Sequence, residues 1–184
     1  MIITYIIPIF NESKTVKRSI IQAIKIPIKK KEIIVIDNGS TDNSNKIIKK
    51  FSQHRNVKII LRKKNMGFGA TIDQGTKMAK GKYIYIHYGD LEYDIKASLK
   101  MLKLAEKNNL DIVFASRLVN KFKKMSVFSI IKKRPHYIAS IILTKLANIL
   151  FKKKLTDIIG TKLYKKSSIL KFLPKKINIG YDLE

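Results

Sequence analysis

The sequence has no cysteine among its 184 residues. This absence excludes disulfide bonds and thiolate metal sites, and it is compatible with a reducing compartment. A membrane-spanning apolar run is also missing, because the uncharged stretches between Ser126 and Lys154 are shorter than the about 20 residues that a spanning helix needs. The N-terminal MIITYIIPIF has no basic region before its apolar run, so it indicates a first strand and not a signal peptide.

Acidic residues are scarce, with 13 Asp and Glu against 39 Lys and Arg, and the formal net charge is +26. Such a charge attracts polyanions, which include nucleic acids, anionic lipid headgroups and phosphorylated substrates. The chain is rich in both Lys and Ile, and an AT-rich genome produces the same bias without any function behind it. We expect no nucleic-acid partner, because the basic residues are spread along the chain and no nucleic-acid-binding motif is present.

Apolar runs and helical periodicities alternate along the chain. Strands are predicted at 2–7, 32–36, 57–61, 83–86 and 111–115, with helices at 14–26, 43–51, 67–80 and 97–107. This alternation predicts a single α/β domain with a doubly wound, mainly parallel sheet. Parallel strands share one C-terminal edge, and ligands bind there in open sheets. We therefore expect one crevice to be lined by the carboxylates that follow the strands, Glu12, Asp37, Asp90 and Glu92.

The stretch Tyr83–Asp94, YIYIHYGDLEYD, combines a buried strand with three carboxylates at its end. Oxygen ligands at a strand end suit Mg²⁺ or Mn²⁺, which would in turn hold a diphosphate. The alternative is a solvated acidic turn in which Asp94 only caps the next helix.

The segment from Ser126 to Lys154 is both basic and apolar. Its predicted helix carries an apolar face, with Ser140, Thr144 and Asn148 on the opposite side; the face consists of Ile138, Ile141, Ile142, Leu146, Ile149 and Leu150. A basic-flanked amphipathic helix is typical of a segment that lies on an anionic membrane surface. The alternative is a helix that buries this face against its own domain.

Six short motifs follow one another along the chain: IIPIFNE at 6–12, EIIVIDNGSTDNS at 32–44, RKKNMGFGA at 62–70, GDLEYD at 89–94, ASR at 115–117 and DIIGTKLYKK at 157–166. In this order and spacing they resemble the family 2 glycosyltransferases with the GT-A fold, most closely the dolichyl- or polyprenyl-phosphate mannose and glucose synthases. The resemblance covers essentially the whole chain.

The resemblance implies a role for each matching residue. The donor nucleotide would be held by Pro8, Phe10, Asn11, Glu12, Asp37, Gly39, Ser40, Arg62, Asn65 and Gly67. A divalent cation, Mg²⁺ or Mn²⁺, would be bound by Asp90 and Glu92, and catalysis would involve Asp90, Arg117, Asp157 and Lys162. The chain departs from the family at the first position of Asp-x-Asp, where Tyr88 stands, and a neutral phenol is a poor ligand for a hard divalent ion.

The implied reaction is the inverting transfer of a hexose from a nucleoside-diphosphate sugar to a polyprenyl phosphate or a cell-envelope glycan. An anionic phosphate acceptor needs only positioning cations, for which Arg117, Arg134 and Lys162 are candidates. A sugar hydroxyl acceptor needs a carboxylate base, for which Asp157, Asp182 or Glu184 would serve. The alternative function is a catalytically inactive nucleotide-sugar-binding module, because Tyr88 has replaced a ligand.

On this interpretation, residues 1–120 form the nucleotide-sugar-binding half, and residues 121–184 form an acceptor-side half that is truncated at its C-terminus. We expect a cytoplasmic protein that is peripheral on the inner face of the cell membrane.

Overall fold

The computed structural model describes residues 2–91, 93–116 and 137–172. Its centre is a six-stranded sheet with the order β3-β2-β1-β4-β6-β5. The strands are β1 Ile3–Ile9, β2 Lys31–Asp37, β3 Val57–Leu61, β4 Tyr83–Ile86, β5 Ile112–Phe114 and β6 Lys162–Lys165. The first four run parallel to one another, whereas β6 is antiparallel to β4. The predicted α/β fold with a mainly parallel sheet is therefore confirmed.

The central strands are buried on both faces, which explains their uninterrupted apolar sequences. Every residue of β2 and β4 is buried, and so is every residue of β1 except Pro8. A strand covered by helices on both sides has no solvent face on which polar residues could alternate. The core beside β1 and β4 contains Ile6, Ile34, Ile36, Ile72, Ala79, Ile84 and Ile86.

Pro8 was predicted to end the first strand, but β1 continues to Ile9. Proline is tolerated here because of the side to which its nitrogen points. The carbonyl of Ile9 accepts from Asn38 on the β2 side, and that of Ile6 accepts from His87 on the β4 side. Pro8 is in phase with Ile6, and the pairing of β1 with β4 stops at Ile6. The nitrogen of Pro8, which has no N–H to donate, therefore lies beyond the last paired residue of β4, where the sheet needs no donor.

Helices connect the strands: α1 Val16–Lys25, α2 Ser44–Lys49, α3 Phe68–Met78, α4 Ala97–Asn108, α5 Tyr137–Leu150 and α6 Lys166–Phe172. Gly75 brings α3 close to the sheet, since a Cβ there would lie 2.8 Å from Cγ2 of Ile6. Helix α3 ends at Met78 and is capped by Ala79, two residues before Gly81. Gly81 instead allows its own backbone to pass close to the backbone of Thr4, because a Cβ on it would lie 2.5 Å from the nitrogen of Thr4.

The chain divides into two compact units. The first comprises residues 1–112 and 163–184, and the second comprises residues 113–162. Within the part of the chain that the structure describes, no helix has the length and apolarity required to cross a bilayer.

Candidate functional site

A cleft of about 230 Å³ opens in the first unit at the C-terminal ends of β1, β2 and β4. Its lining combines apolar or aromatic side chains with a few carboxylates and amides: Pro8, Ile9, Phe10, Glu12, Asn38, Asn65, Phe68, Thr71, Tyr88, Gly89 and Asp90. Mostly apolar walls with a few convergent polar groups are typical of small-molecule sites. The position at the carboxyl ends of parallel strands agrees with the crevice that the sequence predicted.

The turn after β1 is fastened to the turn after β2 through Asn11. Its Oδ1 accepts from the backbone N–H of Thr41 at 2.9 Å and from the hydroxyl of Thr41 at 3.2 Å, while its own N–H donates to Oγ of Ser40 at 2.9 Å. Asn11 has a φ of 56°, a left-handed conformation that asparagine adopts more readily than most residues. Asn11 and Ser40, both predicted to hold the donor, do not line the cleft but connect the two turns that adjoin it.

Glu12 lines the cleft and is oriented by two hydroxyl groups. Its Oε2 accepts from Oγ1 of Thr15 at 2.6 Å, and its backbone N–H donates to Oγ of Ser44 at 2.9 Å. Asp42 supports the same turn by accepting from the backbone N–H groups of Ser13 and Ser44. Burial raises the pKa of Asp42, but the hydrogen bonds from Ser44 and Ser13 together outweigh it and lower the pKa to about 2. The Asp42 carboxylate is therefore ionised at neutral pH and stabilises the turn by accepting these hydrogen bonds.

Asp37 ends β2 but does not line the cleft, unlike the prediction from sequence. Its carboxylate is 2% exposed and accepts from the backbone N–H and the hydroxyl of Ser40. The next residue, Asn38, lines the cleft instead. Gly39 follows with a φ of 81°, and a Cβ there would lie 2.5 Å from the backbone carbon of Lys64. Successive residues at a strand end point in different directions, which explains why Asn38 and not Asp37 faces the cavity.

Arg62, another predicted donor ligand, is fully engaged within the protein. Nε and Nη2 donate to Oε1 of Gln74 at 3.0 and 2.7 Å, and Nη2 also donates to the carbonyl of Ala70 at 3.0 Å. Nη1 donates to Oδ1 of Asn38 at 2.8 Å and to Oγ1 of Thr71 at 3.1 Å. These five bonds match the five N–H groups of a guanidinium. Burial lowers the pKa of Arg62, and the charge of Asp73 opposes this shift.

Asn65 and Gly67 lie in the loop directly before α3. The Oδ1 of Asn65 accepts from Nδ2 of Asn38 at 2.6 Å and from the N–H of Gly67 at 2.8 Å. Gly67 precedes the helix with a φ of 83°, which favours glycine. Asn38 also accepts at Oδ1 from the N–H of Met66 at 3.0 Å, so both ends of its amide are fixed. Asn38, Phe68 and Thr71 line the cleft but were not predicted from the sequence, although Asn38 adjoins the predicted Asp37.

The acidic loop after β4 approaches β1 closely. A Cβ on Gly89 would lie 2.6 Å from Cδ1 of Ile9, so a larger residue would have to displace this side chain. Asp90 lines the cleft and is exposed. Leu91 has a φ of 63°, which turns the chain directly after it. Glu92, the second predicted metal ligand, lies outside the described residues.

The ring of Tyr88 is packed between two other aromatic rings. The Phe68 and Tyr88 centroids are 5.9 Å apart with an interplanar angle of 4°, and those of Tyr88 and Tyr93 are 5.4 Å apart. In the described residues, no group of three or more His, Cys, Asp or Glu side chains could hold a metal ion by itself.

His87 lies beneath this loop and is 1% exposed. Burial lowers the pKa of the imidazole to about 4, while the backbone of Ser19 and the charges of Asp90 and Asp94 oppose the shift. The ring is therefore neutral at pH 7.

The second unit contains two predicted catalytic residues, Asp157 and Lys162. Asp157 is 1% exposed, and its Oδ1 accepts from Oγ of Ser140 at 2.9 Å and from the N–H groups of Ile159 and Gly160 at 3.1 and 3.2 Å. Nζ of Lys162 donates to the carbonyl of Gly160 at 3.1 Å. The third predicted residue, Arg117, lies outside the described residues, as do Arg134, Asp182 and Glu184.

Helix α5 buries its polar side and exposes its apolar side. Ser140 and Thr144 are 1% and 5% exposed, and Oγ1 of Thr144 accepts from the N–H of Ile158 at 3.0 Å. Asn148 exchanges two hydrogen bonds with the backbone of Leu155. The exposed apolar face of α5 consists of Ile138, Ile142, Leu143, Leu146, Ile149 and Leu150, between 39% and 74% exposed. The apolar face is thus exposed in the described part of the second unit, residues 113–116 and 137–162.

The sequence matches the family described as Glycosyl transferase family 2 over residues 4–173. Among curated proteins, it is 36% identical over 155 residues to an uncharacterized protein of Methanocaldococcus jannaschii, covering 81% of this chain and 63% of that protein. It is 34% identical over 111 residues to the cholesterol galactosyltransferase of Borreliella burgdorferi, covering 60% of this chain and 31% of that protein. The chain thus spans less than two thirds of these relatives.

Solved structures show the same fold. TarS of Staphylococcus aureus in complex with UDP-GlcNAc superposes with a TM-score of 0.62 at 18% identity, covering 94% of this chain and 47% of TarS. The mannosyltransferase PcManGT of Pyrobaculum calidifontis, in complex with GDP-Man and Mn²⁺, gives a TM-score of 0.55 at 18% identity, covering 62% and 35%. These comparisons do not single out the polyprenyl-phosphate branch of the resemblance. The family match over nearly the whole chain and the fold agree, and the chain belongs to glycosyl transferase family 2.

Proposed function

We propose that this chain transfers a hexose, with inversion, from a nucleoside-diphosphate sugar to a polyprenyl phosphate or a cell-envelope glycan. The observation that carries the proposal is the cleft at the carboxyl ends of β1, β2 and β4, where Glu12, Asn38 and Asp90 meet an aromatic wall. The relative named as a cholesterol galactosyltransferase supports a hexosyl donor.

In this cleft the donor nucleotide would rest against Pro8 and Phe10, whose ring is 40% exposed and free to cover a planar base. Asn11, Ser40 and Gly39 would shape the turns around the ribose, and Glu12 would accept hydrogen bonds from its hydroxyl groups. Asp37 would act by orienting Ser40, to which it is hydrogen-bonded. Arg62 and Asn65 would act through Asn38, whose amide they bind directly, and Gly67 would act through its hydrogen bond to Asn65.

A divalent cation fits the residues present. Mg²⁺ is commonly bound by one or two carboxylates together with substrate phosphates, and Asp90 and Glu12 line the same cleft. We propose that Asp90, with Glu92, would hold Mg²⁺ or Mn²⁺ when the diphosphate is bound. The ion would neutralise negative charge on the leaving diphosphate. The structure of PcManGT with Mn²⁺ shows that a protein of this fold binds such an ion.

The acceptor side would be served by residues that the sequence predicted. Arg117 and Lys162 would position an anionic acceptor phosphate, which needs no strong base. Three donors already stabilise the negative charge of Asp157 and anchor its loop to α5. A hydroxyl acceptor needs a carboxylate base, and because Asp157 is buried and its Oδ1 already accepts three hydrogen bonds, Asp182 or Glu184 would serve instead.

The test is the matched pair Asp90→Asn and Asp94→Asn. Both variants remove one negative charge from the same loop, but Asp94 accepts from the N–H of Lys96 and does not line the cleft. We expect Asp90→Asn to abolish sugar transfer in the full-length protein while its thermal unfolding stays unchanged, because an exposed carboxylate contributes little to the core. Asp94→Asn should retain transfer. Wild-type transfer by Asp90→Asn would exclude Asp90 as a metal ligand.

A specific observation favours a second candidate, a nucleotide-sugar-binding module without catalysis. Tyr88 is engaged with Phe68 and Tyr93 and supplies no anionic oxygen. Hydrolysis of UDP-glucose, UDP-GlcNAc and GDP-mannose with Mn²⁺ distinguishes the two functions. Binding of one of these donors without hydrolysis or transfer would favour the module.

We also propose that the chain lies on the anionic inner face of the cell membrane through α5. The apolar face of α5 would enter the headgroup layer, and Lys145, Lys152, Lys153 and Lys154, all exposed, would lie at the phosphates. Each lysine near such a surface contributes about 1 kcal/mol at physiological ionic strength. A partner with negative charge and an apolar layer matches both features of this surface.

Vesicle sedimentation tests this attachment. We expect binding to vesicles with anionic lipid, weaker binding at high salt, and little binding to neutral vesicles. The triple substitution Lys152→Gln, Lys153→Gln and Lys154→Gln should reduce binding to anionic vesicles strongly, and Leu146→Ser with Ile149→Ser should reduce it at both salt concentrations. Equal binding to neutral and anionic vesicles without a salt effect would contradict the proposal.

A further inference from the structure

Three aromatic side chains stand in a row beside the cleft, and we call them the aromatic ladder. Phe68 is the first residue of α3, while Tyr88 and Tyr93 belong to the loop after β4. The Phe68 and Tyr88 rings are nearly parallel at 4°, and the Tyr88 and Tyr93 rings are tilted by 34°. Centroid separations of 5.9 and 5.4 Å lie within the range of attractive aromatic pairs.

The middle ring joins the loop to the rest of the first unit. Tyr88 packs against the core cluster that contains Ile72 of α3 and Ile86 of β4. It is separated from Asp90 only by Gly89, which is pressed against Ile9. The stacking of the aromatic ladder and the contact of Gly89 with Ile9 together restrain the segment that presents Asp90 to the cleft.

We propose that Tyr88 is a positioning residue, whose stacked ring holds Asp90 and the cleft wall in the arrangement that receives a nucleoside diphosphate. This inference rests on the proposed function of the cleft. A carboxylate at this position would repel Asp90 unless a cation lay between them. A stacked ring is uncharged and is ordered by contacts within the protein. The cleft of this chain is accordingly preorganised by the ladder before any divalent ion arrives, which reduces the ordering cost of binding.

The experiment measures the Kd of UDP and GDP in EDTA and, separately, in Mn²⁺. Tyr88→Phe keeps the ring, Tyr88→Leu removes it while keeping an apolar side chain, and Tyr88→Asp introduces a carboxylate. Phe51→Leu is a matched control that removes a ring outside the cleft. Isothermal titration calorimetry reports ligand binding in every variant, because it needs no optical signal from the tyrosine that is replaced. Thermal unfolding of each variant identifies any that is not folded.

In EDTA we expect Tyr88→Phe and Phe51→Leu to bind within about twofold of the parent. Tyr88→Leu should bind about tenfold more weakly, which corresponds to about 1.4 kcal/mol. Tyr88→Asp should also bind weakly in EDTA but recover in Mn²⁺, so its ratio of the two Kd values should exceed that of the parent. A merely structural role would lower the unfolding temperature without producing this dependence on the ion.

Equal affinity of Tyr88→Leu and the parent in EDTA would overturn the inference and leave the proposed function intact. Affinity of Tyr88→Phe as low as that of Tyr88→Leu would also overturn it, because the hydroxyl and not the ring would then be responsible. Should Tyr88→Leu fail to fold, Phe68→Leu tests the same stack from the side of α3, where Phe68 is 41% exposed. If the parent binds no nucleotide in either condition, the proposed function itself is wrong.

Discussion

Replacing Arg62 tests whether this residue holds the cleft together or touches the donor. Its five hydrogen bonds connect the end of β3 with Asn38 after β2 and with Thr71, Ala70 and Gln74 of α3. The substitution Arg62→Lys keeps the positive charge but removes the planar fork that spans these acceptors. We therefore expect a loss of stability even though the charge is conserved.

The magnitude follows from the acceptors that lose their partner. Oε1 of Gln74 loses two bonds, whereas Oδ1 of Asn38 keeps the N–H of Met66. A lysine can satisfy one of the remaining acceptors, and each buried acceptor left without a donor costs about 1–3 kcal/mol. We expect Arg62→Lys to lower the free energy of unfolding by about 2 kcal/mol, which in a chain of this size corresponds to a decrease of roughly 4–8 °C in Tm.

Chemical denaturation measures the stability, and titration with UDP or GDP at two salt concentrations measures the contribution to binding. The control is Arg55→Lys, because Arg55 is exposed in the turn before β3. A positioning role predicts a lower unfolding free energy and an unchanged salt dependence of the nucleotide Kd. If Arg62→Lys is as stable as Arg55→Lys but binds nucleotide more weakly and with a smaller salt dependence, then Arg62 contacts the phosphates directly and the reasoning is refuted.

Two further predictions concern the first unit. His87 has a pKa of about 4 when folded and about 6.5 when unfolded, so the unfolded chain binds more protons between these values and stability falls as the pH decreases from 6.5 to 4. Comparison of unfolding free energies at pH 7 and pH 4 should show that His87→Gln loses about 3 kcal/mol less than the parent, and equal losses would contradict a buried neutral imidazole. Gly81→Ala should destabilise the protein more than Gly75→Ala, because a Cβ would meet the backbone of Thr4 at the first site but movable side-chain atoms of Ile6 and Ile36 at the second; equal unfolding free energies would refute this.

The sequence by itself predicted the parts of the fold that depend on local patterns. Apolar runs located the strands, helical periodicity located the helices, and turn residues located the polar loops at one edge of the sheet. The strand Val57–Leu61 and the start of α4 at Ala97 agree with the prediction. Hydrophobic periodicity and turn-forming residues can be recognised from neighbouring residues alone.

Other features depended on groups that are distant in sequence. No local pattern could show that β6 would be antiparallel to β4, or that all five N–H groups of Arg62 would find acceptors on two other elements. The same holds for Tyr88, whose substitution for a carboxylate was visible in the sequence while its partner Phe68 was not.

Helix α5 shows this division most clearly. The sequence correctly grouped Ile142, Leu146 and Ile149 on one face, because side chains three and four residues apart lie on the same side of a helix. It did not determine which face would be buried. In the tertiary structure Ser140 and Thr144 bond to Asp157 and Ile158, so the polar side turns inward and the apolar side remains exposed. Periodicity fixes the grouping of side chains, but only the acceptors and donors supplied by the rest of the fold determine where each group lies.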